Sequence, residues 1–179
     1  MIVLTVPDMK GNANVKALVI LTGLISMTSA VLSADYVTPA AGWDDLPPVK
    51  ASADDWPWWR GPGLNNIAAP GQKPPTEWSK TKNILWKMPI PGRGHATPCV
   101  VGDRIFIPTG DASADTISML CFDRDTGRER WKQVLFEGTL PKIHADNSHA
   151  SATPAFDGER LFFPYQTVDS IRMCALTPD

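Results

Sequence analysis

The residues best able to do chemistry sit in H-A-D-N-S-H at 144–149, where His144, Asp146 and His149 put two imidazoles and a carboxylate within six residues. Nitrogen and oxygen donors so close together are competent ligands for a divalent metal. The same residue types, with Asn147 and Ser148 between them, also tie up a connecting loop through side-chain-to-backbone hydrogen bonds. That structural role is the favoured reading, and no metal is expected. Arg93-Gly94-His95 is a smaller group of the same kind and is read the same way. Asp123 and Asp125 resemble a carboxylate pair, but a turn accounts for both, so neither is given an acid–base role. The sequence has no phosphate-cradling glycine loop and no nucleophile elbow, and no residue is assigned to catalysis. Cys99, Cys121 and Cys174 each lie in an apolar, strand-like run. Without C-x-x-C or Cys-His spacing they are expected to be three buried thiols rather than a metal site or a disulfide.

These groups need a scaffold, and its clearest unit is the stretch 117–131, I-S-M-L-C-F-D-R-D-T-G-R-E-R-W. Ile117, Met119 and Cys121 alternate with Ser118, Leu120 and Phe122. Both sets are too apolar for a solvated strand, so the strand is expected to be covered on both faces. Asp123 can bond its own backbone two residues on and open a turn. Gly127 in Thr126-Gly127 offers the positive φ at which the chain reverses. Trp131 then falls on the return strand, where its ring can wedge between stacked sheets.

Upstream, residues 84–88 (I-L-W-K-M) are expected to form a Trp-bearing strand like the one at Trp131, ended by P-I-P-G. Further strands are expected at 97–101 and 104–108, and no helical period occurs outside the N-terminal segment. The second half then replays the first. H-A-T-P-C-V-V-G-D-R-I-F-I-P at 95–108 aligns with S-A-T-P-A-F-D-G-E-R-L-F-F-P at 151–164, and 117–123 with 171–177. A spacing in the mid-fifties lies just above the roughly 40–50 residues of a propeller blade, and an inserted loop at 138–150 accounts for the excess. A sheet apolar on both faces cannot bury itself, so such repeats must stack.

The run Cys121-Phe122-Asp123 through Thr126-Gly127 to Trp131 resembles the tryptophan-docking motif of the pyrroloquinoline-quinone (PQQ)-like β-propeller family, with Cys121 where the motif has Ala. Trp86 is the equivalent Trp one blade earlier. The S/T-P strand starts and the G-D-R and D-G-E-R turns are similar to that family, and W-R-G-P at 59–62 resembles its exported bacterial members. The resemblance covers roughly residues 56–179 and implies an all-β fold, a β-propeller of four-stranded antiparallel blades, with about two blades here. A propeller needs roughly four to eight blades, so the chain is read as the N-terminal part of a longer protein.

In such a propeller Arg93, His95 and Asn147 would face the channel. Quinoprotein alcohol dehydrogenases carry a vicinal Cys pair, which is missing here, and their calcium ligands and catalytic Asp match no position. The favoured function is therefore a non-catalytic binding or scaffold module whose faces take a protein or polymer, with no cofactor. The alternative is a PQQ-dependent oxidoreductase of the alcohol or sugar dehydrogenase type, with PQQ in the channel and calcium polarising its quinone.

Composition and the N-terminus set the remaining bounds. A net charge of −2 gives no basic surface for nucleic acid or a polybasic membrane anchor. Lys10 and Lys16 precede an apolar run at 17–32, shorter than the about 20 residues a membrane span needs, and small residues follow. Residues 1–34 are expected to be a signal peptide cleaved between Ala30 and Ala34, with Met9 a more natural start than Met1. The product would be periplasmic or secreted, with no stable membrane insertion. Residues 35–82 read as a Pro/Trp-rich lead and cap, and 83–179 as the first blades. The Trp cluster D-D-W-P-W-W-R-G-P-G at 54–63 is expected to cap a sheet edge, with a ligand-stacking platform as the rival role.

Overall fold

The computed structural model describes residues 2–7, 49 and 51–179. The apolar run at 17–32 and the cleavage region after it, on which the export reading rests, lie outside the described residues.

The described chain is all-β and antiparallel, with no helix among the described residues. One sheet has the order β2-β3-β4-β5, built from Cys99–Val101, Arg104–Asp111, Thr116–Asp123 and Glu129–Glu137. The other runs β6 (Ala155–Phe156), β7 (Leu161–Gln166) and β8 (Ser170–Leu176), with β1 (Ile2–Pro7) paired along β8. Apart from β1, each sheet is a meander of sequence neighbours, the least entangled way to pair consecutive strands.

The sequence repeat is also a repeat of register. Cys99 pairs with Phe106 and Phe106 with Cys121, just as Ala155 pairs with Phe162 and Phe162 with Ala175. The two T-P corners touch directly: Thr97 N–H donates to Thr153 Oγ1 across 3.1 Å, 56 residues along the chain. Between the sheets lies one core. Ile117, Met119 and Cys121 from β4, with Phe106 and Leu135, meet Phe163, Tyr165, Cys174 and Leu176. Tyr165 donates its hydroxyl to Leu135 O at 3.1 Å, and the Arg172 guanidinium lies 5.4 Å from the Phe136 ring centre. The cysteines are buried free thiols, as their apolar surroundings suggested.

The 123–128 hairpin turns as its residues require. Asp123 Oδ1 accepts from the backbone N–H and hydroxyl of Thr126 at 2.9 and 2.8 Å, and Gly127 holds φ at +68°. Cys121 and Trp131, the ends of the motif, pair across β4 and β5.

One expectation fails. Residues 84–88 do not form a strand: Leu85 is 92% exposed, and the segment finds no ladder partner among the described residues. It runs extended along the face of the first sheet that points away from the second. Trp86 donates its indole N–H to Arg124 O at 2.9 Å, Thr109 donates its hydroxyl to Pro91 O, and Arg93 bridges to Gly110. On this face Ser118, Leu120 and Phe122 are buried as well, so β4 is covered on both sides. Segment 84–92 thus meets the first sheet through the Trp86 side chain and the Pro91 carbonyl, not as a fifth strand.

Candidate functional site

The polar residues singled out in the sequence gather at one end of the two sheets, where loop 92–96 meets loop 138–154. Arg93 donates from its guanidinium to Ala145 O at 3.1 Å, and His95 N–H donates to Ala150 O at 3.1 Å. Gly110 permits the approach: a side chain there would meet His149 Cβ at 2.7 Å. Arg93, His95 and Asn147 are each exposed on these loops.

The surface is a hydrogen-bonded connector. Asn147 N–H donates to His144 O at 3.0 Å, Ser148 N–H to Asn147 Oδ1 at 2.8 Å, and His149 Nε2 bonds Pro141 O at 2.9 Å. His144 Nδ1 lies 3.5 Å from Asp146 Oδ2, both largely exposed, while the His149 ring is committed to Pro141. Among the described residues no three His, Cys, Asp or Glu side chains converge on a point that could hold an ion. The donor set therefore fits neither a transition metal nor the oxygen-rich cage that calcium requires. Beside this loop a cleft of about 190 Å³ is walled by Asn147, Ser148, His149, Tyr165 and Gln166.

The structural motif residues lie elsewhere. Trp86 packs over Gly127 so closely that a methyl there would fall within its indole. Trp131 is half-buried, with its ring 5.9 Å from that of Phe106, and donates its indole N–H to Pro178 O at 3.2 Å. Asp123 is shared between the turn and Arg130, whose Nη2 lies 2.5 Å from Asp123 Oδ2 and 2.6 Å from Asp103 Oδ2. The Arg130 hydrogen bond, followed by those of Thr126, holds the Asp123 carboxyl far below the usual range, so it stays an anion and offers no proton. The turn reading of this carboxylate is the one the geometry supports.

Nor do the thiols supply a nucleophile. Burial, followed by the charge of Asp55, pushes Cys99 up to about 12. Burial pushes Cys121 and Cys174 each up to about 11. Thiolates, the reactive form, are therefore scarce at neutral pH.

Sequence reasoning missed Asp55. This buried carboxylate accepts from Ser52 N–H at 2.7 Å and from Gly102 N–H at 2.8 Å. It anchors the Trp cluster. Trp56 exchanges backbone hydrogen bonds with Val100 at 2.8 and 2.9 Å, and Pro57 O accepts from Phe156 N–H at 2.9 Å and from the Cys99 thiol at 3.2 Å. The cluster does cap a sheet edge, and it spans the β2 and β6 edges of both sheets. Arg60 stacks over Trp59, 5.2 Å from its ring centre, and Trp59 is 60% exposed. The only advance signal for Asp55 was a carboxylate inside an aromatic run.

Compared with protein-family models, curated proteins and solved structures, the chain matches none.

Proposed function

We propose that this chain is the beginning of an exported PQQ-like β-propeller whose role is binding or scaffolding rather than catalysis. The observation that carries the fold is a repeated tryptophan contact. Trp86 donates to Arg124 O and Trp131 to Pro178 O, and aligning 117–123 with 171–177 sets Pro178 opposite Arg124. Trp131 of the first sheet thus grips the second sheet's turn as Trp86, in the extended segment before the first sheet, grips the first sheet's turn, a repeat that suits sheets strung around an axis. Against catalysis stand a hydrogen-bonded loop where a metal might have been, and thiols held protonated. A protein or polymer partner would meet the loop face bearing Arg93, His95 and Asn147.

The test is reconstitution of the purified natural protein with PQQ and calcium, followed by dye reduction with alcohols and sugars as donors. Background rates are expected, and turnover that depends on both additions would make the protein an oxidoreductase. Export is proposed from the Lys-flanked apolar run. Mature protein starting at residues 31–34, and so lacking β1 on the β8 edge, is expected, and material starting at Met1 or Met9 would refute cleavage.

A further inference from the structure

We infer that residues 55–58 form a releasable strap across the inner edges of both sheets, so that the channel wall is closed by the chain's own Trp cluster until the strap lifts. The assignment of a channel to these edges rests on the propeller reading; the strap itself rests on its contacts.

The strap is held mainly by backbone. Trp56 adds two hydrogen bonds to the β2 edge at Val100, and Pro57 O takes the N–H of Phe156 on β6. These inner edges would otherwise offer unpaired N–H and C=O groups, the usual template for an incoming strand. Asp55 pins one end on Gly102, and the buried ring of Pro57 sits over Cys99, whose thiol donates to Pro57 O.

Its other end is built to come loose. Arg60 and Leu64 both hold left-handed φ values, at 67° and 53°, an unfavourable conformation for residues with such side chains. Trp58 Nε1 is buried with no hydrogen-bond partner among the described residues, which adds the cost of an unsatisfied donor. Strain and an orphaned donor beside a backbone clamp lower the cost of lifting it, which would uncover Cys99 and Phe156 at the rim of the core while leaving the β4 side chains in place. A ligand that pairs with the freed β2 edge would have to displace the strap first, as in strand addition.

Hydrogen exchange on the natural protein tests this. The Val100 and Phe156 amides, which the strap alone receives, should exchange together and at least 100-fold faster than the amides of β4. Equal protection would make the strap a fixed part of the core and overturn the inference. The second arm uses Gly61→Ala, whose new methyl would lie 2.7 Å from the Trp56 ring and so push the strap without altering charge. Labelling by a small thiol reagent, mapped by mass spectrometry, should speed up about tenfold at Cys99 and stay unchanged at Cys121 and Cys174. An unchanged Cys99, or all three thiols opening together, would overturn it. If the propeller reading alone failed, both strap results would stand, while X-ray scattering of the natural protein would show no closed ring.

Discussion

The two sheets present the same residues in the same register to opposite fates. Ile117, Met119 and Cys121 on β4 are wholly buried, because the second sheet lies on them. Their counterparts on β8 are Ile171, Met173 and Ala175, and there Ile171 is 56% and Met173 37% exposed. The Trp contacts differ in the same way. Trp86 lies on the Thr126-Gly127 turn, whereas Trp131 borders a cleft of about 510 Å³ with Arg160, Thr177 and Asp179. The side chains are alike; what differs is the neighbour. An apolar face whose twin is sealed by a sheet is a face shaped to receive a sheet.

That comparison can be broken most severely at its sealed side. Met119→Lys puts an unpaired charge in the core between the sheets and should cost more than about 4 kcal/mol, read as loss of the cooperative urea transition. A stable variant would mean the sheets do not press on each other.

Trp131→Ala should cost about 3 kcal/mol, the low end for a Trp because its ring is half-buried. Gly127→Ala should cost about 2 kcal/mol, from left-handed strain plus the collision with Trp86. Urea midpoints check both. If Gly127→Ala were neutral, Trp86 would not be docked on the turn, and the two Trp contacts would not be equivalents.

A smaller effect follows from the thiols. Folding raises Cys99 to about 12 and Cys121 and Cys174 to about 11, against 9.0 for an ordinary thiol. Above about pH 9 the unfolded chain releases these protons while the folded chain keeps them, so stability should fall as pH rises. Below that pH these groups should contribute no slope. Cys121→Ala should make the alkaline loss shallower in pH-dependent melts. An unchanged slope would place the Cys121 thiol in contact with solvent.

Much of this was legible in the residues themselves. The T-P corners, the Asp123 turn, the positive φ of Gly127 and the two-sided burial of β4 all follow from local types and spacing. Residues 84–88 misled because period-two apolarity records which side chains will be covered, not whether the backbone has a ladder partner. The same extended run can pair as a strand or, as here, lie across a sheet face. Asp55 was hard to read for a related reason: its partner Gly102 is 47 residues away, and the adjoining aromatic run is the one local sign of its burial. In the loop at 144–149, by contrast, the bonds are short in sequence, so the connector role could be read directly.

The most direct test of the central claim is Met173→Lys. In the 179-residue chain this position faces outward, and the substitution should change stability by no more than about 0.5 kcal/mol. If the proposed propeller is right, the natural protein should carry a further sheet over Met173, as the second sheet covers Met119. Urea unfolding of that protein should then show a loss of about 3 kcal/mol or more. A loss within about 0.5 kcal/mol there too would contradict the account, because the open face would then belong to the finished molecule.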